Sequence, residues 1–154
     1  MNLPYLYVFL TVISINIFLF HMKKIEHIGI AVKDIEASNK LFIKIFGKEN
    51  YKDEVVESEG VTTSFFKIGE NKIELVAATN SESPIQKYLE KNREGIHHLA
   101  LDVEDIYSEM ERLKKEGIRL LNEVPKKGAD NKLICFLHPK DTNGVLIELC
   151  QKIN

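Results

Sequence analysis

Four side chains stand out for the chemistry that their types and spacing allow. His27 recurs as His98, 71 residues on, and Glu74 recurs as Glu148, 74 residues on. Two imidazoles and two carboxylates form a donor set for a divalent first-row cation. Taken singly, a histidine or glutamate on a strand is more often a hydrogen-bonded or solvated residue. The pairing argues otherwise. A structural repeat must preserve its apolar positions, but nothing in a repeat requires His27 to return as His98. His97 is the internal control, because the residue that matches it is Glu26. Strand alternation aims His97 at the helix side or the sheet edge, so it is assigned a supporting or structural role rather than ligation.

The elements that must position these residues follow the same repeat. Residues 25–35 read IEHIGIAVKDI and residues 96–106 read IHHLALDVEDI. Ile25, His27, Val32, Asp34 and Ile35 return unchanged, and Ile28 and Ile30 return as leucine. Alternating apolar residues predict strands at Ile25–Val32 and Ile96–Val103. Asp34 and Asp105 then stand where helix N-caps belong, and Gly47 and Gly117 where the helices stop. Further strands are expected near Lys52–Ser58, Val61–Ile68 and Lys72–Ala78, then near Arg119–Val124, Leu133–Leu137 and Gly144–Gln151. Ser83-Pro84 opens a short linking helix, Ile85–Lys91. The fold class read here is α+β: tandem βαβββ modules, about 22–80 and 94–154, forming a curved, cup-like mixed sheet around a metal site. Residues i and i+2 share a strand face. His27, His98, Glu74 and Glu148 all fall on faces turned away from the helices, so a cup formed from two modules converges them.

Length and composition bound the remaining possibilities. A chain of 154 residues holds one domain with a sizeable core. Its 21 basic and 23 acidic residues give a net charge of −2, which excludes a nucleic-acid-coating protein. Cys135 and Cys150 cannot build a disulfide framework; they read as reduced packing thiols in a cytoplasmic setting. In residues 1–21, 15 are apolar and none is Lys, Arg, Asp or Glu, whereas the following 133 carry all 44 charged residues. The first segment is expected to be upstream translation ahead of a start at Met22. A membrane anchor at residues 3–20 is the alternative, and would leave the folded domain on the cytoplasmic side.

From Met22 onward the chain resembles the vicinal oxygen chelate (glyoxalase/bleomycin resistance/dioxygenase) superfamily and, within it, the methylmalonyl-CoA epimerase family. The stretches that carry the resemblance are IEHIGIAVKD at 25–34, KIELV at 72–76, SPIQKYL at 83–89, GIHHLALDVEDI at 95–106 and FLHPKDTNGVLIEL at 136–149. The four-residue donor set is shared with glyoxalase-type members; the last two stretches are more specific to the epimerases. The resemblance implies metal ligands at His27, Glu74, His98 and Glu148, catalytic roles for Glu148 and Glu74, a homodimer, and an acyl-CoA substrate whose (R) and (S) forms are interconverted. It favours Co2+, with Mn2+, Ni2+, Zn2+ and Fe2+ also suited to the donor set. One departure matters. Some members carry a catalytic carboxylate where this chain has Thr63, which cannot act as a base near neutral pH. Lys126, Lys127, Lys132 and Lys140 are candidates for a basic rim facing the CoA phosphates, although each alone reads as solvated surface. A glyoxalase-type lyase and a metal-free binding module of the same fold are the alternative readings.

Overall fold

The computed structural model describes residues 22–153; the expectations for residues 1–21 lie outside the described residues. Two βαβββ units follow each other. The first comprises β1 (Met22–Ala31), α1 (Ile35–Phe46), β2 (Lys52–Val56), β3 (Val61–Ile68) and β4 (Asn71–Ala78). Helix α2 (Pro84–Lys91) links it to β5 (Gly95–Val103), α3 (Ile106–Lys115), β6 (Lys126–Lys127), β7 (Lys132–Phe136) and β8 (Ile147–Lys152). All eight strands form one mixed sheet in the order β2-β3-β4-β1-β5-β8-β7-β6, curled into a half-barrel. The central pair β1–β5 is antiparallel, and β4 and β8 flank it in parallel to their neighbours.

Local chemistry sets the helix ends. The Asp34 carboxylate accepts from the Ala37 N–H at 3.0 Å, and Asp105 accepts from Tyr107 at 3.0 Å. Such caps contribute about 1 kcal/mol each. Gly47 takes the left-handed conformation, φ 67°, and its N–H donates to the Ile43 carbonyl at 2.8 Å. In α2, Pro84 occupies the first turn and the Ser83 hydroxyl accepts from Ile85.

The alternation sorts apolar side chains onto two faces. On the outer face, α1 packs over Val32, Phe66, Leu75 and Ile73, and α3 packs over Val103, Cys135, Leu149 and Ile147. On the inner face, Ala31 joins Val61 and Val76, while Ala100 joins Ile134 and Cys150. Both cysteines are buried and free. Among the described residues no helix is long and apolar enough to cross a membrane.

One strand differs from the expectation. Arg119–Val124 contributes only an isolated bridge, Leu120 to Leu137, and the pairing strand is the two-residue β6 further on. The Arg119 N–H and guanidinium are taken by Asp141, and Pro125, which lacks an N–H, cannot extend a ladder. The last strand likewise starts at Ile147 rather than Gly144, because Pro139–Asp141 forms a 3₁₀ turn and Asn143 and Gly144 take positive φ.

Candidate metal centre

The inner face of the central strands carries the expected donors. His27 comes from β1, His98 from β5, Glu74 from β4 and Glu148 from β8, and each is 5% exposed. The order β4-β1-β5-β8 places the carboxylates on either side of the two histidines. The imidazoles point Nε2 at Nε2, 2.9 Å apart. A Glu74 oxygen lies 3.4 Å from Nε2 of His27 and 3.2 Å from Nε2 of His98. Ligand atoms of these three residues all lie within 4.8 Å of one another. Glu148 is the looser fourth, with oxygens 3.9 Å from His27 and 3.8 Å from His98.

These separations fit one shared ion. Two ligands at right angles, each about 2.1 Å from a cation, are about 3 Å apart. The charges fit as well. Among the described residues the ion-pair partners of Glu74 and Glu148 are His27 and His98. With neutral imidazoles as ligands, two buried negative charges remain, which a divalent cation matches. The titration behaviour expresses the same demand for positive charge. Burial opposes protonation of His27, yet the Glu74 carboxylate and the bond to Glu26 push its pKa up to about 10. Burial also opposes ionisation of Glu74, but His27 and His98 hold it down to about 2. Glu148 stays above the usual carboxylate range, because burial outweighs the two imidazoles.

The centre sits in a cleft of ≈ 340 Å³. Thr63 lines it, 2% exposed, and its hydroxyl donates to the Glu54 carbonyl at 3.3 Å. The far side is closed by the turn between β6 and β7. There Asp130 accepts from Lys72 at 2.7 Å and from Tyr51 at 3.2 Å, and its N–H donates to Glu54 at 2.9 Å. Lys126 meets Glu59 at 2.7 Å across the same gap. These contacts tie the second unit to the first across the mouth of the half-barrel.

Two expectations are corrected by this arrangement. Lys132 is not on a rim: it is 9% exposed and its ammonium lies 3.2 Å from Glu26. Lys126 is half-buried and engaged with Glu59, which leaves Lys127 and Lys140 exposed. His97 does not turn to the outer face under α1 and α3 but lines the cleft, beside α2. Its Nδ1 lies 3.0 Å from Nδ1 of His98, and its ring packs edge-on against Tyr88.

Two residues were not found from the pattern. Glu26 is 3% exposed and its carboxylate meets Nδ1 of His27 at 2.5 Å. Alternation assigns it to the opposite face from His27. Gly29 is paired with His98 across β1–β5, and the His98 ring lies directly over it. A glycine at i+2 from a candidate ligand was the available signal for such a close approach.

Residues 26–136 match the Glyoxalase/Bleomycin resistance protein/Dioxygenase superfamily. The ethylmalonyl-CoA/methylmalonyl-CoA epimerase of Cereibacter sphaeroides is 42% identical over 83% of this chain and 97% of its own. The mitochondrial methylmalonyl-CoA epimerase of Dictyostelium discoideum is 39% identical over 84% of this chain and 78% of its own. A crystallised variant of the Streptomyces coelicolor methylmalonyl-CoA epimerase, in complex with 2-nitronate-propionyl-CoA, superposes with a TM-score of 0.83 at 34% identity, covering 86% of this chain and 99% of that one. With the half-barrel, its repeat and its converging donors already in view, these likenesses show that the chain belongs to the glyoxalase/bleomycin resistance protein/dioxygenase superfamily and, within it, to the methylmalonyl-CoA epimerase family.

Proposed function

We propose that this protein is a methylmalonyl-CoA epimerase, interconverting the (R) and (S) forms at the carbon between thioester and carboxylate. The observation that carries the reading is the convergence of His27, Glu74, His98 and Glu148 inside a cleft of an epimerase-family chain. These four residues would hold the cation, Co2+ by preference. When bound, such an ion supplies Lewis-acid stabilisation for negative charge that develops on the thioester oxygen. The protein's own part is to bury the reacting carbon among fixed donors and to move its proton. A cleft of ≈ 340 Å³ is sized for the acyl end of the substrate. The rest of a CoA ester must extend past the mouth into solvent; Lys127 and Lys140 are the exposed members of the basic set proposed to meet its phosphates.

Inversion needs a proton removed from one face and returned to the other. Glu148 is the first base: burial raises its proton affinity above that of an ordinary carboxylate. Glu74 approaches from the opposite side of the histidine pair and is its partner. Thr63 supplies no carboxylate, and its hydroxyl is engaged with Glu54. Glu74→Gln is therefore expected to keep cation binding and lose epimerisation, read as Co2+ content beside chiral analysis of the product. Intact epimerisation would remove Glu74 from proton transfer. The reducing cytoplasm, supported by two free buried thiols, and a homodimer, supported by the family resemblance, belong to the same proposal.

The deciding experiment is solvent exchange. Methylmalonyl-CoA in deuterated water should lose its α-proton signal when protein and Co2+ are both present. A chelator should abolish the exchange and added Co2+ restore it. Turnover of the glutathione–methylglyoxal adduct instead would mark a glyoxalase-type lyase. Neither activity, with no cation bound, would mark a binding module.

A further inference from the structure

The central strand pair β1–β5 shifts register at three places, and two of these interruptions, at Glu26 and His97, serve the histidines. Ile25 pairs with Leu101 and His27 with Ala100, so Glu26 is an extra residue on β1. Gly29 pairs with His98 and Ile30 with Ile96, so His97 is an extra residue on β5. A bulge of this kind re-aims a side chain that alternation would send to the other face. Positions 26 and 97 are equivalent in the repeat, 71 residues apart. Each extra residue reaches Nδ1 of the histidine that follows it: Glu26 to His27 at 2.5 Å, His97 to His98 at 3.0 Å.

An imidazole that offers Nε2 to a cation keeps its remaining proton on Nδ1, and that proton needs an acceptor. A carboxylate fills this role for His27 and a second imidazole fills it for His98. Glu26 is itself pinned. Its other oxygen accepts from Lys72 of β4 in the first unit, and from Lys132 of β7 in the second at 3.2 Å. Lys72 in turn holds Asp130 at 2.7 Å. The carboxylate is therefore gripped from both halves of the cup.

We propose that Glu26 is a positioning residue for His27, and that the paired bulges make the two halves of the metal centre chemically unequal. His27 is oriented by an anion locked between Lys72 and Lys132, whereas His98 is oriented by a neutral ring. The near-symmetry of the ligand set thus conceals one strongly donating histidine and one weaker one. This inference rests on the metal reading above.

The test uses the full chain as wild type, Glu26→Gln and Glu26→Leu. Co2+ affinity should fall about tenfold in Glu26→Gln and nearer 100-fold in Glu26→Leu, the range typical of lost outer partners. The visible absorption of the bound Co2+ should shift in both. Zn2+-loaded wild type should show a slowly exchanging His27 Nδ1 proton downfield of the amide region, kept in Glu26→Gln and absent from Glu26→Leu, whereas the His98 proton held by His97 stays in all three. Equal Co2+ affinity in the wild type and Glu26→Gln, or no such His27 proton in the wild type, would overturn the proposal even if Glu26→Leu does not fold. Wild type that binds no Co2+ would sink the metal reading and this inference together; wild-type binding with no difference among the variants sinks this inference alone.

Discussion

Glu148→Gln should reduce α-proton exchange by about 10³-fold at saturating Co2+, within the usual contribution of a positioned base. Glutamine keeps the shape of the side chain and one oxygen, so the buried cavity is not emptied. What it loses is the site that receives the proton. Glu148 suits that role because burial raises its proton affinity above that of an ordinary carboxylate, against the opposing pull of His27 and His98. It is also the loosest of the four donors, at 3.8 and 3.9 Å from the imidazole nitrogens, which leaves it the most freedom to move toward substrate. Co2+ occupancy must be measured beside the rate. A full complement of Co2+ with a collapsed exchange rate is the expected outcome. Unchanged exchange at full occupancy would take Glu148 out of the proton pathway.

Gly29→Ala, a change of one methyl group, is expected to abolish tight Co2+ binding and lower exchange by about 100-fold, the cost of misplacing a reacting group by about 1 Å. A Cβ built on Gly29 would stand 2.0 Å from Cε1 of His98 and 2.5 Å from its Nε2. Neither atom can stay there, and the β1–β5 backbone pairing fixes the glycine, so the ring must leave. The fold itself should survive, because the displaced group is a side chain facing a cleft rather than the packed outer core. Unaltered circular dichroism with lost Co2+ binding is the signature to look for. Wild-type affinity in this variant would mean that the ring does not occupy that position when it binds the cation.

Much of the architecture was legible in residue order, for reasons that are local. Apolar alternation separates an outer face such as Ile73 and Leu75 from an inner residue such as Glu74 within three positions. Asp34 and Gly47 bracket α1 through their own backbone and side-chain chemistry. The recurrence of His27 as His98 needs only a comparison of two stretches. Where the reading failed, the cause was a contact between segments distant in the chain. Arg119–Val124 carries the apolar residues Leu120, Leu121 and Val124 that a strand could use, but Asp141, 22 residues away, takes the Arg119 N–H.

The four donor positions, the two-unit repeat and the inward faces were therefore set by the amino-acid sequence alone, because periodicity and capping act over a few residues. Tertiary structure decided which residues stand behind those donors. Only the pairing of β1 with β5 reveals that Glu26 and His97 are inserted residues, since a bulge exists relative to a partner strand and not within one. The burial of Lys132 against Glu26 and the clasp of Asp130 on Lys72 likewise depend on the curl of the whole sheet, which brings residues 58 or more positions apart into ionic contact.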